Sequence, residues 1–214
     1  MNCLFYLALE GIDGCGKSTV AKQLTDRMRA NGINVVLWEF TRIRRTLLGR
    51  LMRRLYYPQT PSTASRFWDS LESIKCPAFL INGWLNRPPS NRDTIVIGDR
   101  SPLTLLAMFP RWCGPRWLGR AIIRAVCSGM MPTTTVFLEI TPSKAIERLK
   151  RRGLLAPNET ESRLAEIRTE YNSLLRPHNR QRSDLSVVPV CADNDIEEIV
   201  VQVANVVAAA SKKE

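Results

Sequence analysis

The stretch GIDGCGKST, from Gly11 to Thr19, sits directly behind the apolar run Leu4 to Leu9 and ahead of residues with helical spacing. Its pattern, Gly11-x-x-x-x-Gly16-Lys17-Ser18, is that of a P-loop, and it restricts the fold more than any other feature of the chain. Glycines let successive backbone N–H groups converge on phosphate oxygens. A lysine at this place reaches the β- and γ-phosphates, and the hydroxyl after it is available to Mg²⁺. A helix starting near Lys17 adds the positive end of its dipole. The strand before the loop and the helix after it are the context the motif needs. Gly11, Asp13, Gly14, Cys15, Gly16, Lys17, Ser18 and Thr19 are the candidate contacts of a nucleoside triphosphate, and Ser18 is a candidate metal ligand.

The rest of the chain alternates in the same manner. Leu4–Leu9, Val35–Trp38, Thr94–Gly98, Thr134–Ile140 and Ser186–Cys191 read as strands. Helices are expected over Lys17–Ala30, Ile43–Leu55, Ser65–Leu85 (broken or kinked at Pro77), from Pro102, and over Trp117–Cys127. A further helix has Thr141 as N-cap, Pro142 at its first position and Gly153 at its stop. Glu161–Leu175 follows, and a last helix is capped by Asp193 or Asn194 and ends near Ala210. Strands alternating with helices predict an α/β fold, a mainly parallel sheet covered on both faces. With 214 residues, no internal repeat and no linker, residues 1–214 are expected to form one domain.

A hydrophobic fraction of 44% and a charged fraction of 24% are ordinary for a globular chain, so a substantial core can be buried. Lys+Arg number 31 against 20 Asp+Glu, a formal net charge of +11. That excess favours anionic partners, whether nucleic acid, acidic lipid or polyphosphate ligands, and charge alone does not separate them. The six cysteines are scattered without a C-x-x-C pair, and His178 is the one histidine. A zinc site of Cys/His spacing is therefore excluded, and buried thiols in a reducing compartment are expected. No basic segment precedes the first apolar run, and no small-residue cleavage site follows it. Ile199–Ala210 falls short of the roughly 20 residues needed to span a bilayer. The expectation is a cytoplasmic protein without membrane contact.

The wider stretch LALEGIDGCGKSTVAKQL resembles thymidylate kinases, which carry an acid and a glycine inside this loop as Asp13 and Gly14 do here. VIGDRSPLTLLA looks like that family's strand ending in Asp-Arg, here Asp99 and Arg100. PTTTVFLEITPSKAIERLKRRG is similar to the strand and helix that lead into the family's lid, and the capped last helix after VVPVCADND fits its adenine-side loop. The resemblance covers nearly the whole chain, in order. It implies a P-loop NTPase three-layer sandwich with five parallel strands in the order 2-3-1-4-5, a lid at about 150–161, and commonly a homodimer. It also implies ATP as phosphoryl donor with Mg²⁺. Lys17, Asp99, Arg100, Arg148 and Arg152 would then be catalytic. Asp99 would hold Mg²⁺ through water, Arg100 would clamp the acceptor's phosphoryl end, and Arg148 and Arg152 would close over the transferring group. Their four-residue spacing puts these two arginines on one helix face, and arginines arriving from a lid stabilise charge on the equatorial oxygens. Asp13 would lie near the acceptor's sugar or the phosphate-bound metal, or else shape the loop through nearby N–H groups.

The acceptor half departs from the family. After the second strand FTRIRRTLLGR keeps Thr41 and Arg42 but not the family's Glu-Pro-Gly-Gly, and its thymine-reading Tyr-Gln falls on Met108 and Phe109. The acceptor-side F-A-x-D-R is at best SRFWDSL, with Phe67 present and the arginine missing. Phe67 or Trp68 could still stack on a base.

A phosphate acceptor is already an anionic nucleophile that arginines help to approach the γ-phosphate. Arg42, Arg44, Arg45, Arg50, Arg53 and Arg54 crowd that side of the chain. A hydroxyl acceptor needs a carboxylate base. Glu39 closes the strand VVLWE, where deoxynucleoside kinases place theirs, and Asp99-Arg100-Ser101 is similar to their Glu-Arg-Ser. Asp13, Glu39, Arg42, Phe67 and Arg100 are the candidate acceptor contacts. The leading expectation is phosphoryl transfer to a nucleoside monophosphate, dTMP or a related nucleotide. The alternatives are a deoxynucleoside or other hydroxyl-acceptor kinase and, from another class, a nucleic-acid-binding or non-catalytic nucleotide-binding module. No recognised RNA or zinc fold supports the last of these.

Overall fold

Every residue of the first strand, β1 (Phe5–Glu10), is buried, as an unbroken apolar run must be at the centre of a sheet covered on both faces. The structure is a computed structural model that describes residues 5–41, 76–88, 93–109, 115–153, 159–176 and 186–210. Its strands are β1, β2 (Val35–Glu39), β3 (Ile95–Asp99), β4 (Thr134–Glu139) and β5 (Ser186–Cys191). They form one five-stranded sheet in the order β2-β3-β1-β4-β5, parallel at each pairing. This is the order implied by the resemblance, and it is consistent with a P-loop NTPase fold. The ladder of β3 begins at Ile95 rather than Thr94, whose hydroxyl instead accepts from Asn34 Nδ2 at 2.9 Å.

The helices are α1 (Lys17–Ala30), α2 (helical over 76–85), α3 (Pro102–Met108), α4 (Arg116–Cys127), α5 (Pro142–Arg151), α6 (Glu161–Leu174) and α7 (Ile196–Ala210). Pro77 is the second residue of the described helical stretch of α2; residues 65–75 of that expected helix are outside the described residues. α1 stops at Asn31 and Gly32 as expected. Thr141 and Pro142 open α5, but the Thr141 hydroxyl makes no capping bond to the backbone and lies instead 3.3 Å from Ser143 Oγ. The last helix is capped by Asp195, not by Asp193 or Asn194. Its Oδ1 takes the Ile196 N–H at 2.6 Å and its carbonyl the Ile199 N–H at 3.0 Å.

The core runs through both sheet faces. Leu7, Leu9, Val96, Ile97, Val136 and Leu138 fill the centre, and Leu24, Ile123, Leu164 and Val203 arrive from helices. Three of the described cysteines, Cys15, Cys76 and Cys127, are buried thiols as expected, while Cys191 is exposed at the end of edge strand β5. Among the described residues no helix is long and apolar enough to cross a membrane.

Candidate active site

The loop between β1 and α1 is shaped as much by its neighbours as by its ligand chemistry. Gly14 has φ 88°, and a Cβ there would lie 2.5 Å from the Ala145 carbonyl oxygen, so the loop is pressed against the backbone of α5. Gly16, the N-cap of α1, sits at φ 99° in open space. α3 and α6 are capped by the Ser101 and Thr160 hydroxyls, whereas α1 has no side-chain cap and no acid in its first turn. Its first N–H groups and the positive end of its dipole are thus directed at whatever anion the loop receives. The Lys17 ammonium turns back across the loop. It donates to the Gly11 and Ile12 carbonyls at 2.8 Å each and lies 3.4 Å from Cys15 Sγ. Ser18 is exposed and Thr19 half-buried.

The parallel register carries a second group of side chains to the same edge. Asp99 is opposite Leu9 on one side and Glu39 on the other, so Glu39, Asp99 and the start of the loop share the carboxyl end of the sheet, where open α/β sheets bind ligands. Asp99 Oδ1 is buried and has no hydrogen-bond partner among the described residues. Such an orphan costs about 1–3 kcal/mol, and a cation would relieve it. Asp99 with the exposed Ser18 hydroxyl is a hard-oxygen pair that suits Mg²⁺, which binds through one or two carboxylates plus substrate phosphates and water rather than an all-protein cage. No cluster of three His, Cys, Asp or Glu that could hold a metal occurs among the described residues.

Arg100 follows Asp99 with φ 72°, the one non-glycine residue with positive φ among those described. Its guanidinium forms an ion pair with Asp13 of the loop. Burial alone would lower its pKa, but Asp13 first, and then Asp99 and Glu10, raise it above the usual arginine value, so it stays charged. Beneath it lies a group that sequence reasoning missed. Glu10 is fully buried. Its Oε1 accepts from Ser101 N at 2.7 Å and Ser101 Oγ at 2.6 Å, and its Oε2 from Thr104 Oγ1 at 2.7 Å and the Tyr171 hydroxyl at 2.8 Å. The available signal was a carboxylate closing an otherwise apolar run.

The lid-side arginines stand apart from this cluster. Ala145 touches Gly14, and Arg148 and Arg152 follow it in sequence at three and seven residues. Arg148 Nη2 lies 3.8 Å from Asp193, which also takes the Lys144 ammonium at 2.7 Å, while Arg152 is exposed at the helix C-cap. Arg151, on the same helix, pairs with Glu147. Met108 lies beside Arg100, with Sδ 4.0 Å from Nη1, and its carbonyl accepts from Arg163 at 3.3 Å. Phe109 is buried against Phe79, ring centroids 6.1 Å apart. Arg42, Phe67 and Trp68 lie outside the described residues, as does 154–158 of the expected lid.

The parallel order, the loop and the uncapped helix behind it define a P-loop α/β nucleotide-binding protein. Within that class, the chain is 26% identical over 203 residues to the thymidylate kinase of Vibrio vulnificus strain YJ016, an alignment covering 91% of this chain and 90% of that protein. The thymidylate kinase of strain CMCP6 gives the same values. The thymidylate kinase of Prochlorococcus marinus strain MIT 9301 is 29% identical over 163 residues, 68% of this chain and 70% of that protein. No protein-family model matches the sequence. These likenesses support a thymidylate kinase-like family for this chain and an enzyme of that kind, a nucleotide-binding kinase.

Proposed function

We propose that this protein transfers the γ-phosphoryl group of ATP, with Mg²⁺, to a nucleoside monophosphate, dTMP or a related nucleotide. The observation that carries the reading is Arg100, a half-buried guanidinium just past the carboxyl end of β3, ion-paired to the loop acid Asp13 beside the cradle of Lys17. A phosphate acceptor needs a fixed cation facing the γ-phosphate, and Arg100 has donors beyond the one given to Asp13. Lys17 exchanges its two carbonyl partners for phosphate oxygens, a change from neutral to charged acceptors that favours the bound state. Ser18 and Asp99 would hold Mg²⁺, which supplies charge neutralisation on the phosphates. Arg148 and Arg152 are assigned to the transferring group. Arg148 reaches it by leaving Asp193, a long contact of 3.8 Å between partly exposed side chains. Residues 1–214 form one kinase domain, with its lid at about 150–161. The setting is cytoplasmic.

A homodimer is the assembly we favour, supported by the exposed apolar stripe Ile81, Trp84 and Leu85 on α2. The test of the activity is a coupled assay across nucleosides, deoxynucleosides and their monophosphates, with Lys17→Ala as blank. Turnover on monophosphates is expected, and turnover on nucleosides alone would replace this reading with the second. In that second reading Glu39 serves as base to a hydroxyl acceptor, and its place opposite Asp99 favours it. Glu39→Gln would then abolish turnover with ATP binding kept, whereas a monophosphate kinase would lose little.

A further inference from the structure

We infer that Glu10 is a positioning residue of the transfer site, fixing the direction in which Arg100 presents its guanidinium and tying helix α6 to that direction. The inference rests on the reading of Arg100 as the acceptor-phosphate clamp.

The backbone of Arg100 is held in the left-handed region at φ 72°, a conformation that is strained for a non-glycine residue and persists only where the surroundings over-determine it. Here two successive N–H groups bracket the residue. The Arg100 N–H donates to the Leu9 carbonyl at 3.2 Å, and the Ser101 N–H donates to Glu10 Oε1. Neighbouring residues of β1 therefore clamp both sides of the strained turn, one through backbone and one through the carboxylate. The other oxygen of Glu10 reaches α3 through Thr104 and α6 through Tyr171.

All four donors are neutral, so they satisfy the carboxylate without cancelling its charge, and among the described residues the cation that its field reaches is Arg100. Tyr171 remains a donor. Burial and then the charge of Glu10 push its hydroxyl well above its ordinary value, and its ring is fixed against Phe137 at 5.4 Å. A buried charge is an expensive way to fill a core. Its use here is to set one arginine.

Two substitutions separate this role from plain packing. Glu10→Gln keeps the shape but replaces one acceptor oxygen with a donor, forcing Thr104 and Tyr171 to invert. Tyr171→Phe keeps the ring contact and removes the hydroxyl that meets Glu10 at 2.8 Å and Thr104 at 3.1 Å. With saturating ATP and monophosphate, kcat is expected to fall about tenfold in the first and about threefold in the second, with KM for ATP within about twofold of the parent.

Independently of turnover, the Arg100 Nε–H resonance, identified by its loss in Arg100→Lys, should shift in both variants without any nucleotide present. An unchanged resonance in both variants would overturn the proposal. So would losses in kcat and ATP affinity that merely track a lowered melting temperature. A parent protein that phosphorylates no monophosphate, while the resonance still moves in both variants, would overturn the clamp reading and leave the hold of Glu10 on Arg100 supported.

Discussion

Gly14 and Gly16 carry the same side chain and the same left-handed backbone, yet they answer to different constraints. Gly14→Ala must find room beside the Ala145 carbonyl as well as bear its positive φ, so a loss of about 2–4 kcal/mol is expected. Gly16→Ala meets nothing within 4 Å and should lose only about 1–2 kcal/mol. Urea unfolding of the two variants measures the difference, and equal losses would show that α5 does not press on the loop. Thiols divide in a similar way. Burial pushes Cys127 up to about 12, whereas Cys191 is exposed. Titration with a thiol reagent at pH 8 should therefore lose one fast-reacting equivalent in Cys191→Ser and none in Cys127→Ser.

At the scale of elements, the helix ends separate what is encoded locally from what is not. Thr160 caps α6 through its hydroxyl, which accepts from Arg163 N at 3.2 Å. Thr160→Ala should lower stability by about 1 kcal/mol, read from the urea midpoint at unchanged slope. The α1 boundaries, the Pro142 start of α5 and the β5 bounds follow from periodicity and from proline and glycine, which act within a few residues. Caps were less legible. Thr141 occupies the cap position without using its hydroxyl, and the last helix takes Asp195 rather than its two predecessors. Which of several adjacent polar residues caps a helix depends on how the preceding turn leaves the strand, and for α7 that turn is anchored by Ala192 N on the Glu139 carbonyl of the neighbouring strand.

For the whole molecule, Glu10 makes stability depend on pH with a definite sign. Burial raises its pKa above 4.5 despite the bonds from Ser101, Thr104 and Tyr171. An acid raised in the folded state binds protons more tightly there than in the unfolded chain. Its cost is therefore present in full above the folded pKa and recedes as pH falls through that value towards 4.5. The unfolding free energy of the parent minus that of Glu10→Gln should accordingly rise as pH is lowered from 8 towards 5, measured by urea melts at each pH. A flat difference would mean that the carboxyl is not desolvated.

The phosphate cradle, the alternation of strand and helix and the parallel class of sheet are properties of the amino-acid order alone, because spacing, glycine and proline act over a few residues. The meetings of charge are not. Asp13 finds Arg100 across 87 positions and Tyr171 finds Glu10 across 161. Arg148 finds Asp193, and Asp99 stands opposite Glu39, only once the strands have taken the order β2-β3-β1-β4-β5. Side-chain pairing acts over a few ångströms, and strand order decides which distant residues come within that reach.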